Sequence, residues 1–154
     1  MERAEYSDEN CSVARTLAIV GERWSLLILR EAFLGVRRFD QVQANLGIAR
    51  NILADRLQRL VSAGILERQQ YQERPNRYEY RLTQMGLDLY PALVAIMQWG
   101  DRYVADEAGP PLKLEHVACG KETEPLFVCS ECGEPIDARG VRAKIGPGAL
   151  RKTA

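Results

Sequence analysis

Along Cys11–Val20 the apolar residues Val13, Leu17 and Val20 recur at helical spacing, and Gly21 ends the run, which predicts a first helix. The following RWSLLILREAFLG is apolar nearly all round and stops at Gly35, the pattern of a central helix covered on every side. In RRFDQVQANLG, Phe39, Val42 and Leu46 form one narrow stripe on a short helix ending at Asn45–Gly47. After a tight turn, Leu53, Leu57, Leu60 and Val61 form the inner face of another helix, which carries Arg50, Asn51, Ala54, Asp55 and Gln58 on its other side and ends at Gly64. Two amphipathic helices joined by a short glycine-bearing turn are a helix-turn-helix candidate.

The period then changes. ILERQQY and RYEYRL read as two strands around the polar bend QERPN, the second alternating Tyr78, Tyr80 and Leu82 with Arg77, Glu79 and Arg81. This predicts a β-hairpin with an arginine-bearing tip. Thr83 is placed to cap a long helix, kinked at Pro91, with Leu89, Leu93, Ile96, Met97, Trp99 and Tyr103 as apolar positions. That is more apolar surface than one small core uses, and a strip of Leu93, Met97 and Trp99 is expected to meet a partner chain.

The order of helices, hairpin and long helix is that of a winged helix-turn-helix, and residues 11–100 resemble the HxlR-type family of bacterial transcription regulators. The matching features are the early Cys11, the G-x-x-W-S-L-L-I-L-R-E helix, R-R-F, the L-x-x-R-L-x-x-L helix, G-I-L-E-R, Y-x-L-T-x-x-G and the final W-G. The resemblance implies a homodimer on a roughly palindromic operator in double-stranded DNA, with the first and last helices forming most of the dimer contact. It also implies that some relatives use a cysteine at the place of Cys11 to sense oxidants or electrophiles; the other reading of Cys11 is a small core residue. Ala49 departs from the pattern, because many relatives open the recognition helix with Ser, a side-chain cap worth about 1 kcal/mol.

Charge changes the picture locally. The net charge is zero, yet residues 37–81 hold nine Arg and no Lys against five acids. Arginine grips phosphates and guanine edges with paired hydrogen bonds, so this segment points to nucleic acid. Arg50 and Asn51, on the first exposed turn of the recognition helix, are the expected base readers, with Arg50 suited to guanine and Asn51 to adenine. Arg37, Arg38 and Arg56 are expected beside them on phosphates, and Arg74, Asn76 and Arg77 at the hairpin tip on the flanking backbone or minor groove.

Composition excludes several classes. The start, MERAEYSDEN, is polar and no window approaches a membrane span, so the protein is expected to be neither exported nor membrane-spanning but cytoplasmic, with reduced thiols. No Gly-rich phosphate loop, nucleophile elbow or HExxH helix is present, and one histidine cannot fill several catalytic roles, so no enzyme is expected.

Past Gly109-Pro110-Pro111 the chemistry is different. His116-Val-Ala-Cys119-Gly120 and Cys129-Ser-Glu-Cys132-Gly133 repeat one pattern, ligand-x-x-ligand-Gly, as in a pair of zinc knuckles. One imidazole and three thiolates would close a tetrahedral shell and leave no open position, so Zn²⁺ there is expected to be structural; iron suits the same shell, and free turn thiols are the alternative. The fold class is therefore mainly α (α+β): a winged helix-turn-helix with a long C-terminal dimerisation helix over residues 1–108, a small β-rich zinc-binding appendage over 109–146 and a flexible tail over 147–154. The competing functional class is a redox-sensing or protein-interaction module that works through the cysteines and tail.

Overall fold

The computed structural model describes residues 10–150, and they divide into two units at Leu93–Val94. In the first unit, α1 (Ser12–Val20), α2 (Arg23–Phe33), α3 (Phe39–Leu46) and α4 (Arg50–Ser62) precede an antiparallel hairpin of β1 (Leu66–Glu73) and β2 (Asn76–Leu82). The short α5 (Gln84–Leu87) and the start of α6 (Tyr90–Tyr103) complete it. The fold is α+β, with the wing where the alternating pattern places it.

Its core gathers Val20, Ile28, Leu29, Val42, Ile48, Leu53, Leu57, Leu60, Ile65 and Leu66 from every element between α1 and β1. The three leucines of α4 stand one turn apart and all point inward, so α4 is locked by one face and free on the other. Gly47 ends α3 at φ 61°, a left-handed conformation open to glycine without steric cost, and so makes the turn between α3 and α4 tight.

Two sequence expectations change. Thr83 caps a helix, its hydroxyl accepting from the Gly86 N–H at 3.2 Å, but that helix stops at Leu87 and α6 begins afresh at Tyr90. Pro91 then lies in the first turn of α6, where its missing N–H costs nothing, so the expected kink becomes a break at Asp88–Leu89. In α1, Ala14 and Val20 are buried while Val13 and Leu17 face outward, so its apolar stripe is only partly a core stripe.

The second unit holds most of α6, then β3 (Leu114–His116) and β4 (Lys121–Thr123), paired antiparallel, and a single bridge from Val128 to Pro135. Gln98 donates to the Pro125 carbonyl at 2.9 Å. A cleft of about 530 Å³ between α6 and the β3–β4 hairpin is lined by Met97, Gln98, Arg102, Leu112 and Leu114, among others. This packing explains why the division falls inside α6 and not at the Gly-Pro-Pro of residues 109–111. The last described residues, Pro147–Leu150, form a 3₁₀ turn; residues 151–154 of the expected flexible tail lie outside the described part.

Candidate nucleic-acid interface

The outward face of α4 carries Arg50, Asn51, Ala54, Asp55, Gln58 and Arg59, all exposed. Ala49 stands at its N-cap without a side-chain hydrogen bond, as its identity dictates. Arg50 opens the helix, its side chain 73% exposed, with its guanidinium 4.8 Å from the Phe39 ring centre and 3.7 Å from Asp40. The ring and the carboxylate hold Arg50 at the end of α4 while leaving its paired donors accessible. Asn51 beside it is exposed.

Arg37 and Arg38 lead into α3 and are both exposed. Their backbone also joins the wing: the Tyr80 N–H donates to the Arg37 carbonyl at 2.8 Å, and Arg38 bridges Glu79. The Arg38 guanidinium lies 4.6 Å from the Tyr71 ring centre, which ties it to the flank of the wing. At the wing tip Arg74, Asn76 and Arg77 are exposed. There Gln72 donates to the Arg74 carbonyl at 2.9 Å, and Gln70 donates to the Asn76 side-chain oxygen at 2.9 Å, so Asn76 keeps its amide donors for a partner. Arg37, Arg38, Arg50, Asn51 and the tip residues are thus accessible.

Arg56 is different. Its guanidinium pairs with Glu22, just ahead of α2, and with Asp55, and its side chain is only 17% exposed. Of the side chains expected on phosphates it is the least accessible, with two carboxylates on its Nη atoms and its Nε buried without a partner among the described residues. Spacing on the helix showed its neighbours but could not show Glu22.

Glu31, a further residue of this site, went unrecognised in the sequence. It is buried, accepting from Arg30 Nη2 at 2.7 Å and from Asn45 Nδ2 at 2.7 Å, and it links the middle of the bundle to the last turn of α3. An acid within the apolar stretch of α2 was the available signal, since a buried carboxylate requires partners. Phe39 and Tyr71, the platforms under Arg50 and Arg38, passed as core and strand residues.

The family model described as HxlR-like helix-turn-helix matches residues 19–108. The chain belongs to this family. It is 53% identical over 146 residues to the uncharacterized HTH-type transcriptional regulator Rv3095 of Mycobacterium tuberculosis, covering 95% of this chain and 92% of that one. It is 31% identical over 96 residues to the uncharacterized HTH-type transcriptional regulator YdeP of Bacillus subtilis, covering 62% and 75%. Among solved structures it is similar to PA1607, described as a candidate transcription factor, at a TM-score of 0.82 and 38% identity over 92% of this chain and 99% of that one. It also resembles the reduced form of the redox regulator HypR, at a TM-score of 0.55 and 27% identity over 58% and 90%. This HxlR-like chain is accordingly a helix-turn-helix transcriptional regulator, and its relatives are regulators and not enzymes. No helix among the described residues is long and apolar enough to cross a membrane.

The cysteines of the HxlR-like chain fall into separate settings. Cys11 sits at the N-cap of α1 and is exposed, so the core reading does not describe it. His116 Nδ1 and Cys119 Sγ lie 3.5 Å apart, and the Cys119 and Gly120 N–H groups both donate to the His116 carbonyl. The second turn repeats this, Gly133 N–H donating to the Cys129 carbonyl at 2.9 Å. Both following glycines have positive φ, 65° at Gly120 and 76° at Gly133, as the ligand-x-x-ligand-Gly pattern requires. The Cys129 thiol is held below its ordinary pKa by the Cys132 N–H, then by the Glu131 N–H and the Cys132 thiol, so the turn favours a thiolate. Among the described residues, however, no three such side chains gather closely enough to hold an ion. Each turn is closed by its own backbone bonds.

Proposed function

We propose that this regulator binds double-stranded DNA as a homodimer on a roughly palindromic operator, with α4 in the major groove and the wing on the flanking backbone. The observation that carries this is the one-sided burial of α4: its leucines fix it to the core and its opposite face offers Arg50 and Asn51 at the open end. In this reading Arg50 and Asn51 contact base edges, Arg37 and Arg38 contact phosphates, and Arg74, Asn76 and Arg77 contact backbone or minor groove. Operators selected from genomic fragments supply the test. Arg50→Ala should lose about 1–3 kcal/mol at one base position, while Arg74→Ala should weaken all sequences alike. If both variants bind a selected operator like the parent across a salt series, this placement is wrong.

The dimer is supported by apolar residues on two outward faces. Val13, Leu17 and Ile19 of α1 are exposed, as are Ile96, Trp99 and Tyr103 of α6, whose two rings meet tilted, their centres 5.5 Å apart. Leu93 and Met97, expected in the strip, are half-buried instead. Such patches on a regulator fit a twofold partner that sets half-sites roughly 34–36 Å apart. A monomeric mass by light scattering at micromolar concentration would count against it.

The tail is read as a structural zinc site in which His116, Cys119, Cys129 and Cys132 close on one ion. Paired turns with positive-φ glycines and a thiolate-favouring Cys129 support this. The ion would draw together the two turns that the backbone leaves separate, so binding and ordering of the tail are one event. Elemental analysis of protein purified without chelator should find about one zinc per chain, lost on Cys129→Ser; metal-free protein with an equally protease-resistant tail overturns the reading.

A second reading, redox control, is favoured by the exposure of Cys11 and by the likeness to a protein named a redox regulator. Peroxide should then change operator affinity in the parent and not in Cys11→Ser.

A further inference from the structure

Charge in the tail reverses at Asp137. Residues 115–137 hold six acids (Glu115, Glu122, Glu124, Glu131, Glu134 and Asp137) against the single Lys121, whereas residues 138–154 hold Arg139, Arg142, Lys144, Arg151 and Lys152 and no acid. The structure gives this boundary a form. Asp137 Oδ1 accepts from the N–H groups of Arg139 and Gly140, each at 2.8 Å, an Asx-type turn that marks the boundary. Residues 141–146 then run without helix or strand and are all exposed, Val141 at 53% and Ile145 at 84%.

Six nearby acids would be the natural partners of these cations. Yet among the described residues the side chains of Arg139, Arg142 and Lys144 enter no hydrogen bond, ion pair or ring contact. An irregular, exposed segment with only positive charge, left unpaired beside an acidic stretch of sequence, suits a partner with a dense and regular array of negative charge. Duplex DNA carries one such charge per ~1.7 Å of its axis, and contact with it releases condensed counterions.

We propose that residues 138–146 form a basic arm that contacts the phosphate backbone of the DNA, independently of sequence, through Arg139, Arg142 and Lys144. The inference rests on the DNA-binding reading above and adds a second contact region to it. The acidic residues before Asp137 have a role in this arrangement, since they are repelled by the backbone that the arm grips and so favour the arm over the hairpin as the contacting surface.

The test compares the full-length parent with the triple variant Arg139→Ala, Arg142→Ala, Lys144→Ala on one selected operator and on an unrelated duplex, from low to moderate salt. Three lost phosphate contacts should lower the slope of log affinity against log salt by about 2.7 in magnitude. Binding should weaken on both duplexes alike, with the preference between them unchanged. A charge-keeping variant, Arg139→Lys with Arg142→Lys, should retain the parent slope. No core residue changes, and equal thermal midpoints for the parent and variants verify that folding is unaffected. If the parent binds and the triple variant keeps its slope and affinity, the arm is refuted while the winged-helix reading stands. If the parent binds neither duplex, both fall.

Discussion

The two units of the chain treat apolar residues in opposite ways. In the winged helix Leu53 is 0% exposed and sits among nine other buried apolar side chains, whereas in the tail Val117 is 92% exposed and Leu126, Phe127 and Val128 also face outward. The first unit is closed mainly by hydrophobic burial, with the Glu31–Asn45 bond inside it. Beyond α6, the described residues of the second unit have only two three-residue strands, one bridge and a 3₁₀ turn, too little buried surface to offset the conformational entropy of that stretch by itself. What this teaches is that burial orders one part of the chain far more than the other, and that the paired cysteine turns stand where burial is lacking.

The sharpest way to break the comparison is to truncate one apolar side chain in each unit. Leu53→Ala should destabilise the winged helix by about 2–5 kcal/mol, whereas a truncation at exposed Phe127 should change stability by about 0.5 kcal/mol or less. Denaturant unfolding with matched slopes measures both, and a large loss at Phe127 would show a hidden core in the tail. A smaller effect is expected from the buried carboxylate of the first unit. Glu31→Ala leaves Asn45 and Arg30 without their acceptor and should cost about 1–3 kcal/mol, read in the same titrations; it should also weaken operator binding by loosening the last turn of α3.

The smallest effect concerns the tail. Lys113 donates to Glu122 at 2.9 Å across the β3–β4 hairpin, and this bond, with the carboxylate charge, raises its pKa above 10.5. A raised folded value means the contribution is complete below 10.5 and fades as pH climbs through the folded pKa. Because both groups are solvated, Lys113→Met should leave the thermal midpoint unchanged near neutrality in moderate salt. A clear shift there would mean the hairpin depends on this pair.

Much of the winged helix was legible because its periods are strong. Leu53, Leu57 and Leu60 specify the inner face of α4, and the alternation of Tyr78, Tyr80 and Leu82 specifies β2. What was illegible depends on partners distant in sequence. Nothing near Arg56 announces Glu22, and nothing near Glu31 announces Asn45, since a side chain's pairing is fixed only once two helices have packed. The break at Asp88–Leu89 escaped because Pro91 suits both a kink and a helix start, and apolar spacing does not tell them apart. In the tail, local spacing foretold each turn and its glycine. Local spacing carries no information on how the two turns stand toward one another.

The wing has an irregularity between Gln70 and Gln72, where the register with β2 shifts by one residue at Tyr71. Below it, the stem is pinned on a third side by the Tyr80 bond to Arg37 and the bridge from Arg38 to Glu79. A bulge absorbs one extra residue without turning the rest of a strand over. Insertions or deletions near the tip can therefore be absorbed there while the stem keeps its facing, and a family built on this hairpin is free to diversify its flanking contacts over evolutionary time without renegotiating the seat of the recognition helix.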